Sequence, residues 1–418
     1  MRQAYQQSQS SQEDLGWIYG FWSSLTPYAY ARIEDEVVIL PPNLVYKTNA
    51  TGARLLDFIA HGGRFEDLPG FGPGKAAEIG AFFKDLKAVY EGRPVSLERV
   101  AYDFAFNRLP ILGELAVTYR CNNRCRFCYA GCGSKAGSLP PGYSGDELDT
   151  AGMKRVIDIF KDEAKIPFFS FTGGEPLIRQ DIEELAAYAY SRGLRVNLVT
   201  NGTLATPARA ASLRASGITT AQVSLEAPTA PIHDSLCGAP GAFESSVAGI
   251  KAMLAAGISV QTNSTLTAVN RQALLEMPDF VADLGVKRMS MNLFIPVGSG
   301  ENESGLFFPY AEAGVFIDEA RKRARATGVD FFWYSPTPLC LYNPIARGLG
   351  NKSCAACDGL LSVSPSGEVL PCSSWSQSIG NILRDGFRTL WFSDKARFFK
   401  DKDYAPLACK ACASFKIG

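Results

Sequence analysis

Between residues 110 and 328 the sequence alternates short apolar strands with amphipathic helices about six times, and this constrains the fold more than any other feature. The strand patterns are ELAVTY (from Glu114), FFSFTGG (from Phe168), VNLVTNG (from Val196), AQVSLEAP (from Ala221) and ISVQTNSTL (from Ile258). The intervening helical patterns include GMKRVIDIFKDEA, IEELAAYAYSRG, FESSVAGIKAMLAAG and AEAGVFIDEARKRARATG. Such alternation implies parallel strands with right-handed crossovers and ligand-binding groups at the strand C-terminal ends. The expected class is α/β, an incomplete or full barrel with one functional rim. The strands finish in small or polar residues: Gly173, Gly174 and Glu175; Thr200 and Asn201; Ser224 and Glu226; Asn263 and Thr265. A single polar strand end means only solvent exposure, but four on one rim point to a common site.

The 11 cysteines cluster around that region. Four lie in YRCNNRCRFCYAGCG (Cys121, Cys125, Cys128, Cys132), Cys237 is alone, and six crowd the end: Cys340, Cys354, Cys357, Cys372, Cys409 and Cys412. With only 2 histidines, a multi-histidine metal site is excluded and thiolate is the ligand on hand. The opening MRQAYQQSQSSQEDLG has no apolar core of a secretory signal, and no stretch reaches the roughly 18 apolar residues of a membrane span. The cytoplasm is therefore the expected compartment and no membrane partner is expected. An odd cysteine count there favours metal or redox chemistry over disulfides. The 42 basic residues balance 42 acidic ones, so no overall field favours nucleic acid as a partner. At 418 residues, two to three domains are expected from about 150 residues each.

The first cluster has the spacing C-x3-C-x2-C. Three thiolates on one tight loop can hold three irons of a 4Fe-4S cube and leave the fourth open to an exogenous ligand. The alternative is a zinc knuckle, for which Cys132 is the nearby fourth ligand. The paired glycines Gly173 and Gly174 form a turn where backbone groups can approach a ligand closely.

Cys121, Cys125 and Cys128, with Phe127 before the last of them and Gly173-Gly174-Glu175-Pro176 one βα unit later, resemble the radical S-adenosylmethionine (SAM) superfamily. The resemblance implies a partial (β/α)6 TIM-like barrel in which the three cysteines hold a 4Fe-4S cluster and the open iron chelates SAM. It further implies reductive cleavage of SAM to a 5′-deoxyadenosyl radical, supplied with an electron by a reductant such as flavodoxin or ferredoxin. The SAM-contacting positions it implies are Phe127, Gly173, Gly174, Glu175, Thr200, Asn201, Ser224, Glu226 and Asn263.

The six late cysteines resemble the SPASM/twitch extension of that superfamily. CAACDGLLSVSPSGEVLPC reads as a β-hairpin between Cys357 and Cys372, and CKAC (Cys409, Cys412) follows. A full SPASM module carries further cysteines beyond the CxxC, whereas this sequence stops at Gly418. At least one auxiliary 4Fe-4S cluster is implied, with its ligands among Cys340, Cys354, Cys357, Cys372, Cys409 and Cys412. A structural zinc ribbon is the alternative.

Residues 28–98 read as a small α+β domain of two short β patterns, an amphipathic helix with Ala53, Leu55, Leu56 and Ile59, and a second helix. The order resembles the PqqD-like domain, the RiPP recognition element, with Asn49-Ala50-Thr51-Gly52 at its corner. What that implies is a leader peptide gripped as an added strand. LPGFGPGKAAEI has the look of a DNA-phosphate-binding helical hairpin, but a plain interhelical turn accounts for it better. His233-Asp234 reads as a helix cap, and Cys132 and Cys237 as packed thiols.

The expected organisation is an N-terminal segment 1–27, the PqqD-like domain 28–98, the barrel 110–328 and the cysteine-rich β-hairpin extension 335–418. The expected function is a radical SAM maturase that modifies a ribosomally made peptide or protein, forming a thioether or carbon–carbon crosslink. Alternatives are maturation of an enzyme or its cofactor (tungsten, quinone or sulfatase type) and small-molecule radical oxidation. Ser373 after Cys372 disfavours the sulfatase type, whose relatives carry Asp there. A zinc-bearing scaffold is the non-catalytic alternative.

Overall fold

The computed structural model describes residues 14–25, 29–40, 44–91, 93, 108–132 and 145–415. It has two compact units, Met1–Arg108 and Leu109–Gly418.

In the first unit, helix α1 (Gly16–Leu25) precedes strands β1 (Tyr30–Arg32), β2 (Val37–Leu40) and β3 (Leu44–Lys47), an antiparallel sheet in sequence order. Helix α2 (Ala50–Ala60) is started by Asn49, whose side chain accepts from the Gly52 amide at 2.7 Å. Gly52 has no room for a side chain, because a Cβ there would stand 2.3 Å from Thr48 Oγ1 and 3.1 Å from Phe82 of helix α3 (Pro73–Tyr90). LPGFGPG is an interhelical turn, with Pro73 at the first helical position where its missing N–H costs nothing. Ile18 and Trp22 of α1 share one core with Leu56, Phe65 and Phe83. Helix α1 thus lies within the N-terminal segment 1–27, for which the sequence predicts no particular element.

In the second unit, six parallel strands lie side by side in sequence order: β4 (Leu112–Thr118), β5 (Phe168–Gly173), β6 (Arg195–Thr200), β7 (Thr220–Ser224), β8 (Ser259–Leu266) and β9 (Arg288–Leu293). The crossovers contain α4 (Thr150–Asp162), α5 (Ile182–Ser191), α6 (Pro207–Ala215), the pair α7 (Ala230–Cys237) and α8 (Ala242–Ala255), and α9 (Met277–Asp283). After α10 (Tyr310–Ala326), β10 (Asp330–Trp333) adds a seventh parallel strand beside β9. At the other edge, β11 (Leu360–Val363) runs parallel to β4, followed by antiparallel β12 (Glu368–Leu370) and β13 (Gly380–Asn381). The hairpin between Cys357 and Cys372 thus continues the barrel sheet instead of hanging from it.

Alternation along the strands sorts the two faces. Leu115, Val117, Phe169, Phe171, Val196, Leu198, Ala221 and Val223 are buried in the large core that also takes in the helices. The opposite face carries Glu114, Ser170, Asn197, Gln261, Ser290 and Ser362, which bond to one another across strands: Asn197 to Ser170, Gln261 to Ser290, Ser362 to Glu114. A closed barrel usually fills this side with bulky branched residues. A polar lining suits a polar guest.

Candidate functional site

Residues 121–132 leave the C-terminal end of β4 and are clamped by three other strand ends. After β5, Gly174 N donates to Thr118 O at 2.8 Å and Glu175 N to Arg120 O at 2.9 Å. After β7, the end of α7 receives Arg124 N on Cys237 O and Arg126 N on Leu236 O, both at 2.9 Å. After β9, Ser299 N donates to Cys128 O at 2.9 Å. The loop closes on itself through Cys128 N to Cys125 O (3.2 Å) and Gly131 N to Cys128 O (3.1 Å). Cys121, Cys125 and Cys128 are partly accessible, while Cys132 and Cys237 are buried. Both buried thiols touch the accessible ones: Cys132 hydrogen-bonds with Cys128, and Cys237 with Cys125. They are packed thiols, as read from the sequence, and their packing partners are the loop cysteines themselves.

Burial pushes the Cys121 thiol up to about 12, with the neighbouring thiols adding to it. The hydrogen bond with Cys237, then burial, holds Cys125 well above the ordinary range. Cys128 is lowered to about 7, first by the Cys132 thiol and then, against burial, by the backbone N–H groups of Cys132, Ala130 and Gly131. Three soft donors that repel one another when ionised, with N–H groups turned toward one of them, suit a cationic iron–sulfur cluster. The loop offers no imidazole or carboxylate as a competing ligand.

The other candidate residues divide by what they touch. Glu175 is fully buried and accepts from Leu177 N (3.0 Å), Thr200 Oγ1 (2.7 Å) and Asn201 N (2.8 Å), so it bolts the end of β5 to the end of β6. Asn201 donates to Asn122 of the cysteine loop at 2.9 Å. Ser224 stands in register with Asn263, which accepts from Ser290 Oγ at 2.8 Å. Phe127 packs with Ile232, Leu236, Phe294 and Leu306. Asp234 caps a helix, though not its own: it accepts from Gly241 N and Phe243 N, at the start of α8. The paired glycines approach the protein's own backbone, at Thr118 O and Arg120 O.

Glu226 is buried and accepts from Thr265 N at 2.7 Å; burial raises it from the ordinary 4.5 to about 7. A carboxyl raised in the folded state stabilises the fold fully below its unfolded value and loses that contribution as pH rises through the folded one. The penalty at pH 8 is about 3 kcal/mol. Calorimetry of the metal-free protein from pH 5 to pH 8 should therefore show wild type losing melting temperature relative to Glu226→Gln. Parallel profiles would refute the argument.

Among the late cysteines, Cys354, Cys357 and Cys372 lie close enough to perturb one another. Cys357 is buried and pushed up to about 12, and Cys372 to about 11, in both cases first by burial. Tyr404 hydrogen-bonds Cys354. Cys340, Cys409 and Cys412 are exposed, the last two at the short helix Leu407–Lys410. Glu114 was missed. It receives hydrogen bonds from Ser362 and Ser373, burial raises it, and its charge acts on Cys372 as well as on Tyr129 of the cysteine loop. An acidic residue inside a strand read as buried was the available signal.

The profile of the Radical SAM superfamily matches residues 115–284, and that of the SPASM iron–sulfur cluster-binding domain matches 354–413. The AdoMet-dependent heme synthase of Nitratidesulfovibrio vulgaris is 30% identical over 325 residues, covering 72% of this chain and 84% of the relative. The PqqA peptide cyclase of Ruegeria pomeroyi is 28% identical over 322 residues, covering 74% and 81%. Among solved structures, Streptococcus suis SuiB bound to its precursor peptide SuiA matches with a TM-score of 0.66 at 15% identity, covering 93% of this chain and 92% of that one. No helix among the described residues is long and apolar enough to cross a membrane.

Proposed function

The chain belongs to the radical SAM superfamily and carries a SPASM iron–sulfur cluster-binding domain, and on that premise we propose that it matures a ribosomally made peptide. It is a radical SAM enzyme whose cofactors are S-adenosylmethionine and 4Fe-4S clusters. Together these supply a 5′-deoxyadenosyl radical that takes a hydrogen atom from the substrate. Cys121, Cys125 and Cys128 hold the SAM-binding cluster. Gly173, Gly174, Asn201, Ser224, Glu226, Asn263 and Phe127 form the SAM pocket, and Glu175 with Thr200 keeps the strand ends that carry it in register. Cys354, Cys357 and Cys372 begin the auxiliary site, whose four ligands come from among these three and Cys340, Cys409 and Cys412. The polar side chains inside the barrel receive the substrate and keep bulk water out.

The observation that carries the peptide reading is the outer edge of β3, which pairs with no further strand among the described residues. Thr48 N donates to Glu36 O, so by antiparallel alternation Val45 and Lys47 turn their N–H and C=O groups away from β2. An extended leader peptide can add there as a fourth strand. That 93% of the chain matches the fold of SuiB, solved with its precursor peptide, and that PqqA peptide cyclases are among its relatives, supports the same reading.

Anaerobic incubation of the reconstituted enzyme with SAM, dithionite and any candidate peptide encoded beside it should change that peptide's mass. Val45→Pro removes one outward donor, and should weaken leader binding in fluorescence anisotropy at least tenfold while leaving SAM cleavage without peptide unchanged. Equal binding by both proteins would remove the edge from the argument. A second reading is favoured by the heme synthases among the relatives: radical oxidation of a haem precursor. Turnover of a porphyrin with no peptide modified would select it.

A further inference from the structure

We propose that the ammonium of Lys352 and the hydroxyl of Tyr334 form a binding site for a carboxylate group of the substrate, on the inner face of the barrel at the end of β10. The proposal rests on the reading of that face as the place that receives the substrate.

The directions of the neighbouring hydrogen bonds leave the Tyr334 proton without an acceptor. Ser290 Oγ lies 2.8 Å from Asn263 Oδ1 and 3.1 Å from Thr262 O, and it has one proton to give to these two acceptors. The Gln261 amide, 3.0 Å away, therefore meets Ser290 with its nitrogen as donor. The same Nε2 lies 2.9 Å from Tyr334 Oη. An amide nitrogen carries two hydrogens and only donates, so one goes to Ser290 and the other to Tyr334. Tyr334 Oη thus accepts, and its own proton has no acceptor among the described residues.

Lys352 brings a positive charge to the same ring. Trp333 Nε1 donates to Thr337 Oγ1 at 2.8 Å and Thr337 N donates to Lys352 O at 3.0 Å, so the end of β10 fixes the main chain that carries the lysine. Its Nζ stands 6.0 Å from the centroid of the Tyr334 ring, whose face attracts a cation. Lys352, Tyr334 and Gln261 are all partly buried, and no carboxylate among the described residues pairs with Lys352. A cation withdrawn from water without a counter-charge costs stability, and an O–H donor without an acceptor adds to that cost. One anion bound to both groups removes both costs. Two donors and a single positive charge match a carboxylate, with one oxygen for each donor, and leave the second charge and further oxygens of a phosphate unmet.

Acetate tests the site before any substrate is known. Exchanged for chloride at equal ionic strength, it should raise the melting temperature of the reconstituted wild-type protein more than that of Lys352→Met or Tyr334→Phe, because a ligand of the folded state stabilises that state as it fills the site. Lys352→Arg, which keeps the charge, should respond like wild type. Equal acetate shifts in wild type and in both neutral variants would overturn the proposal. Turnover then identifies the source of the carboxylate. In a peptide that the enzyme modifies, amidating the C-terminus or changing one Asp or Glu to its amide should raise KM about tenfold in wild type and have no further effect in Lys352→Met. If a porphyrin is turned over instead, esterified propionates should behave as those amides do. An acetate effect lost in both neutral variants, with no peptide modified, would sink the peptide reading and keep the site. A modified peptide whose amide forms all cost wild type and Lys352→Met alike would sink the site and keep that reading.

Discussion

Reconstituted without oxygen, the protein should bind about eight irons, and the variant with Cys121, Cys125 and Cys128 all changed to Ala should bind about four and make no 5′-deoxyadenosine. The fold should survive the change. The bonds that clamp residues 118–132 to the neighbouring strand ends are made by backbone (Gly174 N and Glu175 N after β5, Arg124 N and Arg126 N onto α7, Ser299 N after β9) and by the Asn122 and Arg126 side chains, and none of these uses a cysteine sulfur. Removing three sulfurs leaves those bonds in place, so iron loss reports ligation and not unfolding. The remaining irons then belong to the region of Cys354, Cys357 and Cys372, which the substitutions do not reach. Iron and sulfide analysis beside a thermal melt checks both points. A fall to zero iron, or zinc in place of iron, would mean that the late cysteines build something other than an auxiliary cluster.

The alternation of strands and helices was legible from β4 to β8 because each buries one apolar face under its helices, which imprints a period of two, and carries polar residues toward the rim; β9, RMSMNL, was not read, its apolar face being two methionines and a terminal leucine. Strand β10 left no such mark, since four residues are too few for a period. The pairing of β11 with β4 was invisible for another reason. It joins Ser362 to Glu114 across 248 residues, and nothing local encodes a parallel contact at that distance. The site shows the same division. Spacing displayed Cys121, Cys125 and Cys128, because a ligand loop must be local. Cys237 read as one packed thiol, because its contact with Cys125 exists only once α7 returns to the loop. Glu175 stood out as a polar strand end, but nothing local showed its carboxylate turned inward onto Thr200 and Asn201.

Gly174→Ala should empty the SAM-binding site of iron although every cysteine remains. A Cβ at Gly174 would stand 2.3 Å from Arg120 O and 2.9 Å from Tyr119 C, backbone atoms of the segment that leads into Cys121. No side chain can swing aside to make room, so either the turn after β5 or the start of the loop must move, at a cost of about 1–3 kcal/mol. Movement breaks the bond from Glu175 N to Arg120 O, and with it the alignment of Glu175 on Thr200 and Asn201. Gly173→Ala should be at least as damaging, because Gly173 also sits at φ +123, a conformation open to glycine, with Thr118 O 2.1 Å from its would-be Cβ. Gly305→Ala is the control: nothing lies within 4 Å of its would-be Cβ, and it should keep full iron and full 5′-deoxyadenosine formation. About four irons in the Gly174 and Gly173 variants, against about eight in the control, would place the paired glycines as the hinge on which loop and strand meet. Full iron and wild-type SAM cleavage in Gly174→Ala would show that the loop tolerates displacement, and that its thiols find the cluster without the clamp after β5.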